Sequence, residues 1–164
     1  VEKRIVKKEE VETKLFEIGE LSTYAGEYKV NKAAEYSRYI IDDYKIPGTT
    51  NTIDITCRGI VKVGYDIDDI VVKVDNDSQT IYISLPESKV NDNYVIWDTV
   101  ECREENTVLN PIDFVQYQGL ISEIEELGLK QVEQEGIYDA AEENLKKIIC
   151  NFLSGFEEFE IVFM

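Results

Sequence analysis

The sequence predicts an α+β protein with an antiparallel β-sheet, two or three helices packed on one face of it, and a long C-terminal helix followed by a final strand. The sheet is indicated by alternation of apolar and polar side chains over Ile53–Val63. The helices are indicated by apolar residues at steps of three and four in the C-terminal third. Alternation returns in Phe159–Phe163, so we expect this last segment to rejoin the sheet.

A short amphipathic helix is predicted near the N-terminus, over residues 9–18. Its apolar stripe consists of Val11, Leu15 and Ile18, which follow one another at steps of four and three. Gly19 comes next and is expected to end the helix, because glycine accepts the left-handed backbone that often terminates helices.

Extended segments and turns are predicted for the middle of the chain. A turn is expected at Pro47 and Gly48, and Asp75-Asn76-Asp77-Ser78 is expected to turn a hairpin. Gly59 lies on the inner face of its strand, which indicates the close approach of another element. The predicted extended segments are residues 21–44, 53–63, 70–74, 81–85 and 94–102.

Two helices are predicted after residue 109. Asn110 is expected to cap the first, with Pro111 at its first position, and Gly128 is expected to interrupt it. The second helix is expected to run to about Ser154 and to end at Gly155. The predicted stripes are Phe114, Tyr117, Ile121 and Ile124 in the first helix, and Ile137, Ala141, Leu145, Ile148 and Phe152 in the second.

Charge is distributed unevenly along the chain. The 34 acidic and 17 basic residues give a net charge of −17, yet residues 1–8 carry four basic side chains and one acidic one, a local +3. A strongly acidic surface repels phosphate backbones, so we do not expect nucleic-acid binding. We predict a juxtamembrane stub or helix start over residues 1–14 and a single α+β domain over residues 15–164.

The residue types present exclude much catalytic chemistry. The chain has no histidine, which removes Ser-His-Asp and Cys-His catalysis and the usual zinc sites. Cys57, Cys102 and Cys150 lie in apolar or alternating surroundings, so we expect buried free thiols, with one disulfide between two of them as the alternative. We therefore predict a protein that is not an enzyme, and we assign no catalytic, cofactor-binding or metal-binding residue.

Asp66, Asp68 and Asp69, followed by the acidic turn at residues 75–78, suggest a calcium site. The calcium loop of an EF-hand needs acids at positions 1, 3 and 5, Gly at 6 and Glu at 12, and neither register of this segment meets that pattern. The preferred interpretation is turn formation, with Asp66 capping a tight turn and Asp68 and Asp69 facing solvent.

Two further functional interpretations are weaker. Paired carboxylates support glycoside hydrolysis without histidine, but 34 acids guarantee some close pairs by chance. Trp97 is either a platform for stacking a sugar or a strand residue in or beside the core, and the second interpretation is preferred.

The segment Arg58–Ile67 resembles the Y-G-x-V-x-x-G-I-D-L segment of an uncharacterised bacterial membrane-anchored family, domain of unknown function 4230. The hairpin ending at Pro86, the helix opening at Gly136 and the strand after Gly155 resemble the same pattern. The resemblance implies a membrane anchor upstream of Val1 and a location outside the cytoplasm. It supplies no catalytic residues.

These observations lead us to expect a non-enzymatic extracytoplasmic module that binds an unknown protein partner or assembles with itself. Such a module should expose an apolar or aromatic surface patch. The alternatives are a domain that binds a cation or small ligand and, third, a carboxylate-based hydrolase, which should show a cleft with two facing carboxylates.

Overall fold

The computed structural model describes residues 3–19, 24–40, 43–105 and 108–164, and within them the predicted α+β class is confirmed. Long helices precede the last strand, as predicted. The helices are α1 (Lys8–Phe16), α2 (Phe114–Gln134) and α3 (Ile137–Phe152). The strands are β1 (Tyr24–Tyr36), β2 (Tyr39–Ile40), β3 (Tyr44–Lys45), β4 (Asn51–Gly64), β5 (Val71–Asp75), β6 (Thr80–Ser84), β7 (Lys89–Val95), β8 (Glu101–Glu105) and β9 (Glu160–Phe163).

The chain divides into two compact units that alternate along the sequence. Unit 1 comprises Val1–Ala25, Lys62–Asn91 and Gly136–Met164, and unit 2 comprises Gly26–Val61 and Asp92–Glu135. The single domain predicted for residues 15–164 stays a prediction. Its proposed boundary at residue 14 falls inside α1.

Unit 2 contains most of a sheet in the order β1-β4-β7, with β8 also paired to β4. The alternation predicted for β4 is confirmed, because Ile53, Ile55, Cys57 and Val61 are all buried. The pairing of β4 with β8 is antiparallel, with Ile55 opposite Cys102.

Tyr28 of β1 fills the centre of unit 2. Its ring occupies the space that a Cβ atom would take at Gly59 of β4 and at Gly128 of α2, so both glycines let backbone approach the ring. The Tyr28 hydroxyl donates to Asn93 Oδ1 at 2.9 Å, and Asn93 Nδ2 donates to the Glu125 carbonyl at 2.8 Å. The close approach predicted at Gly59 is therefore confirmed.

Unit 1 contains a second sheet in the order β5-β6-β9. The predicted hairpin is present as the antiparallel pair β5 and β6, and β9 joins β6 in parallel, with Ile81 opposite Ile161. The buried stripe of α3 follows steps of four and ends at Ile149, so the predicted Ile148 and Phe152 are only half-buried.

The N-terminal segment is fastened to the rest of unit 1. Val6 is buried, its N–H donates to Asn76 Oδ1 at 2.8 Å, and Asn76 Nδ2 donates back to the Val6 carbonyl at 3.1 Å. Arg4 donates to the Gly155 carbonyl at 2.7 Å, and its guanidinium carbon lies 4.9 Å from the centre of the Phe156 ring. Part of the basic N-terminal charge is thus engaged within the fold.

The predicted N-terminal helix is confirmed, although its end was placed too late. Val11, Leu15 and the following Ile18 are buried, as the apolar stripe predicted. The helix ends at Phe16, and Glu17 keeps right-handed backbone. The Glu17 N–H donates to the Lys14 carbonyl at 3.3 Å, and the Ile18 N–H donates to the Leu15 carbonyl at 3.0 Å. The termination therefore needs no left-handed glycine at Gly19.

The predicted start of α2 was wrong. Asp113 caps the helix, accepting from the Gln116 N–H at 2.7 Å while the Gln116 side chain accepts from the Asp113 N–H at 3.0 Å. Phe114 is exposed rather than part of the buried stripe. Gly128 does not interrupt the helix, and the break comes at Gly136, where φ is +84°.

The single strand predicted for residues 94–102 was also wrong. A 3₁₀ turn at Trp97–Thr99 separates β7 from β8. The Thr99 hydroxyl donates to the Ile96 carbonyl at 2.6 Å and accepts from the Arg58 N–H at 2.9 Å. The β-branched residues of this segment predicted a continuous strand. A hydrogen-bonded turn beside β4 interrupts that strand instead.

Candidate interaction surface

The aspartates at residues 66–69 form a turn, as the preferred interpretation predicted. The Asp66 carboxylate accepts from the Asp68 N–H at 3.2 Å and caps the 3₁₀ turn Ile67–Asp69. Asp68 and Asp69 are exposed. In residues 3–19, 24–40, 43–105 and 108–164, no group of three His, Cys, Asp or Glu side chains is placed to hold a metal ion.

The acidic turn at residues 75–78 is built by the same chemistry. Asp75 Oδ1 accepts from the backbone N–H of Asp77 at 3.0 Å and of Ser78 at 3.2 Å. The Ser78 N–H, the Ser78 side chain and the Asp77 N–H lower the pKa of the Asp75 carboxyl. Gln79 closes this turn with a φ of +51°, which its residue type did not predict.

The burial predicted for two of the three cysteines and for Trp97 was wrong. Cys57 is buried as predicted, but Cys102 and Cys150 are exposed, and all three are free thiols. Burial raises the pKa of Cys57, and burial followed by the Glu104 carboxylate raises that of Cys102. Trp97 is 62% exposed, because the 3₁₀ turn turns it out of the strand.

Seven exposed large apolar side chains among the described residues lie on two segments of unit 2. The first segment is the two-stranded hairpin of β2 and β3, in which Ile40 pairs with Tyr44. The second consists of residues 108–113, which precede α2, together with the first turn of that helix. We call the exposed side chains of both segments the hairpin surface: Tyr39, Ile40, Tyr44, Val108, Leu109, Phe114 and Val115.

The hairpin is held at its base and carries its apolar residues outward. The Ile46 N–H donates to the Arg38 carbonyl at 2.9 Å, and the Arg38 N–H donates to the Thr49 hydroxyl at 3.0 Å. Tyr39 and Tyr44 are 55% and 68% exposed. A two-stranded hairpin that packs none of its apolar residues on a core is at best marginally stable in water.

The turn that returns the hairpin to β4 has the conformation predicted at Pro47 and Gly48. The Thr49 N–H donates to the Ile46 carbonyl at 3.3 Å, which closes a four-residue turn. Gly48 takes a φ of +79°, which the third residue of a type II turn requires. The hairpin therefore leaves and rejoins unit 2 with a fixed geometry.

Asn110 joins the two segments of the hairpin surface. Its side-chain amide donates to the Tyr36 carbonyl at 3.1 Å and to the Thr49 carbonyl at 2.8 Å. The buried Asn51 amide donates to the Asn110 carbonyl at 2.8 Å. Asn110, predicted as a helix cap, instead fastens the second segment beside the base of the hairpin.

A family model described as "Protein of unknown function" matches residues 13–161, which is most of the chain. The chain belongs to the DUF4230 family. No curated protein and no solved structure matches it.

The family match covers most of the strand and helix segments on which the sequence resemblance was based. The matched residues 13–161 include β4, the β5–β6 hairpin and α3, where most of the residues that carry the sequence resemblance lie. Among its described residues, no helix is long and apolar enough to cross a membrane.

Sequence patterns missed most of the hairpin surface of this DUF4230 protein. Tyr39, Ile40 and Tyr44 lie in a tyrosine-rich segment whose extended state was predicted, but nothing in its spacing distinguished outward from inward residues. Phe114 was assigned to the core by helical periodicity. The one available signal was the long run of β-prone residues before Pro47, which exceeds what a single strand needs.

Proposed function

We propose that this chain is a non-enzymatic protein-interaction or assembly module, located outside the cytoplasm and tethered to a bacterial membrane by an anchor upstream of Val1. The observation that carries the interaction role is the hairpin surface, where seven large apolar side chains are exposed on two segments joined through Asn110.

Exposed tyrosine and phenylalanine side chains suit an interface. Aromatic residues bury large areas with few rotatable bonds, and they are enriched among the residues that dominate binding energy. A partner that covers Tyr39 and Tyr44 would bury side chains that the described part of the hairpin leaves exposed.

Arg38 and Lys45 lie beside the apolar residues and offset two of the three acids nearby in the sequence, Asp42, Asp43 and Asp113. Repulsion between chains of net charge −17 is therefore reduced at this surface. This local balance permits either a second copy or a different protein as the partner.

Site-specific photo-crosslinking in the bacterium that makes the full-length protein tests the interaction role. A photoreactive amino acid at Tyr44 or Ile40 should give a discrete adduct with a partner. Trp97 is the matched control, since it is similarly exposed in unit 2 but lies beside Arg58, about 23 Å along β4 from Asn51. Adducts at none of these positions, or equally at all three, would contradict the proposal.

Replacement variants give a second, independent measurement. Tyr39→Ser with Tyr44→Ser should abolish the adduct formed from Ile40, while Trp97→Ser should leave it unchanged. The mass of the adduct distinguishes a second copy from another protein. An Ile40 adduct that survives both tyrosine replacements would rule out the hairpin surface as the docking site.

The tether and the location rest on the family resemblance. Protease added to intact cells, or to spheroplasts where an outer membrane is present, should digest the domain of the full-length protein while a cytoplasmic marker survives. The protein should also sediment with membranes and resist extraction by high salt. Protection from the protease would place the domain inside the cytoplasm and overturn this part of the proposal.

A further inference from the structure

A groove of about 600 Å³ lies in unit 1 beside β5, apart from the residues of the hairpin surface. Residues 5–9, which include the start of α1, form one side, and residues 72–74 of β5 with Asn76 form the other. The paired hydrogen bonds between Asn76 and Val6, at 2.8 and 3.1 Å, hold the two sides together. The groove is therefore built from two segments of the chain in fixed contact.

This groove is basic, although the chain as a whole is strongly acidic. Lys7, Lys8 and Lys73 line it, against Glu9 alone. Lys8 pairs with Glu12 along α1 at 3.3 Å. Lys7 and Lys73 are exposed, and in the part of the chain that the structure describes neither has a carboxylate within 4.0 Å. Two lysines from separate segments thus face solvent at one groove without an acidic partner among these residues.

An exposed apolar side chain lies beside these lysines. Ile5 lines the groove and is 75% exposed. Ile5 and Lys7 both face solvent because Val6, between them, is buried, which is the alternation of an extended backbone. On β5, Val71 is exposed on the same face as Lys73. Apolar and basic side chains are therefore presented together at one surface of unit 1, and we call Ile5, Lys7, Lys8 and Lys73 the basic groove.

Lysines around an exposed aliphatic side chain suit the surface of an anionic bilayer. Negatively charged headgroups attract lysine ammonium groups, and an aliphatic side chain enters the boundary between headgroups and acyl chains. A soluble anion would meet the lysines but leave Ile5 in water. The acidic surface elsewhere on the protein does not prevent this contact, because charges more than about 8 Å from the headgroups are largely screened at physiological ionic strength.

We propose that the basic groove contacts anionic lipid headgroups, with Ile5 inserted among them, and so orients unit 1 on the membrane surface. The membrane setting rests on the proposed tether, which would keep this surface close to a bilayer. The contact itself is a property of the folded domain and is tested on vesicles without an anchor. Failure on vesicles would leave the tether proposal standing, and failure of the tether in cells would leave the vesicle result standing.

Co-sedimentation of residues 1–164 with an excess of vesicles tests this proposal. Vesicles of phosphatidylcholine alone are compared with vesicles of equal parts phosphatidylcholine and phosphatidylglycerol. The protein should sediment with the anionic vesicles only, and NaCl should reduce the sedimented fraction because salt screens the lysines. Two results would overturn the proposal: the absence of sedimentation with anionic vesicles, and equal sedimentation with both kinds of vesicle.

Charge-neutralising variants assign the binding to the basic groove. Lys7→Gln with Lys73→Gln should lower the partition coefficient onto anionic vesicles about twentyfold, since each lysine near such a surface contributes about fivefold, or about 1 kcal/mol. Lys14→Gln with Lys147→Gln is the matched control, because it removes the same charge from exposed lysines of unit 1 outside the groove. Equal losses in the two double variants would show that net charge alone governs binding and would exclude the groove.

A tryptophan in place of Ile5 reports the depth of insertion. Trp97 is the single tryptophan of the chain, so Ile5→Trp is combined with Trp97→Phe. Lipids brominated on their acyl chains should quench the new tryptophan in anionic vesicles. Phe16→Trp in the same background is the control, because Phe16 is 72% exposed in unit 1 but lies outside the groove. Quenching at neither position, or equally at both, would overturn the insertion of Ile5.

Discussion

The ring of Tyr28 lies against the backbone of Gly128, in the space that the Cβ atom of any other residue would occupy. Gly128→Ala should therefore lower the free energy of unfolding by about 1–3 kcal/mol, the usual penalty for overpacking a core. Urea-induced unfolding measures it.

Gly119 provides a control on the same helix. A Cβ atom there would meet nothing within 4 Å, so Gly119→Ala should raise the free energy of unfolding by about 0.5–1 kcal/mol through helix propensity. If both alanine variants changed the free energy of unfolding in the same direction, contact with the Tyr28 ring would not be what determines the effect at Gly128.

The buried Tyr28 phenol should make stability depend on pH in the alkaline range. Burial, followed by the Glu125 carboxylate, raises its pKa from 10.0 to about 12. Between these values the unfolded state has lost this proton and the folded state keeps it, so stability falls as the pH rises. The contribution is fully present below pH 10 and is lost as the pH passes about 12.

Tyr28→Phe isolates this effect from the other tyrosines. It removes the hydrogen bond to Asn93, so it should be less stable at neutral pH by about 1 kcal/mol. The gap between the two proteins should then narrow above pH 10. Unfolding curves that stay parallel up to the highest measurable pH would contradict a raised pKa for Tyr28.

The paired hydrogen bonds between Asn76 and Val6 should hold the N-terminal segment on unit 1. Asn76→Ala removes both bonds and should cost about 1–3 kcal/mol, with faster hydrogen exchange at the Val6 amide. Asp77→Ala, at an exposed side chain of the same turn, should change stability by less than about 0.5 kcal/mol. Unchanged exchange at Val6 in the Asn76 variant would mean that other contacts hold the segment.

Calcium should not stabilise this protein specifically, despite the acidic turn at residues 66–69. The Asp66 carboxylate already accepts a backbone hydrogen bond, and Asp68 and Asp69 point to solvent without converging on one position. Thermal unfolding should shift with calcium only as much as with NaCl of equal ionic strength. A saturable shift at sub-millimolar calcium, reduced by Asp68→Asn, would restore the calcium-site hypothesis.

Periodicity predicted the elements whose side chains meet a core. The alternation over Ile53–Val63 and the stripe of Val11, Leu15 and Ile18 both have a buried face in the structure. The turns at Asp66 and Asp75 could also be predicted from the sequence, because each carboxylate accepts a hydrogen bond from a backbone N–H only two residues further along the chain.

Long-range partners decided the remaining features. Asn110 resembles a helix cap in sequence, but its amide bonds to backbone more than 60 residues away, and Asp113 takes the cap. Gly128 resembles a helix breaker, but the Tyr28 ring needs its missing side chain. The residue type at such positions is explained only by contacts between distant parts of the chain. The exposure of the hairpin surface likewise depends on the folded structure and could not be predicted from local spacing.

The alternation of the two units along the chain has a consequence for synthesis on the ribosome. Unit 1 draws on three separate segments, and β6 pairs in parallel with β9, which lies at residues 160–163. While the chain emerges, the edge of β6 that will receive β9 stays open until residues 160–163 have been translated. The nascent protein therefore presents an unpaired strand edge throughout the synthesis of the segment between β6 and β9, and we expect early chaperone contact and the speed of the last steps to affect its yield.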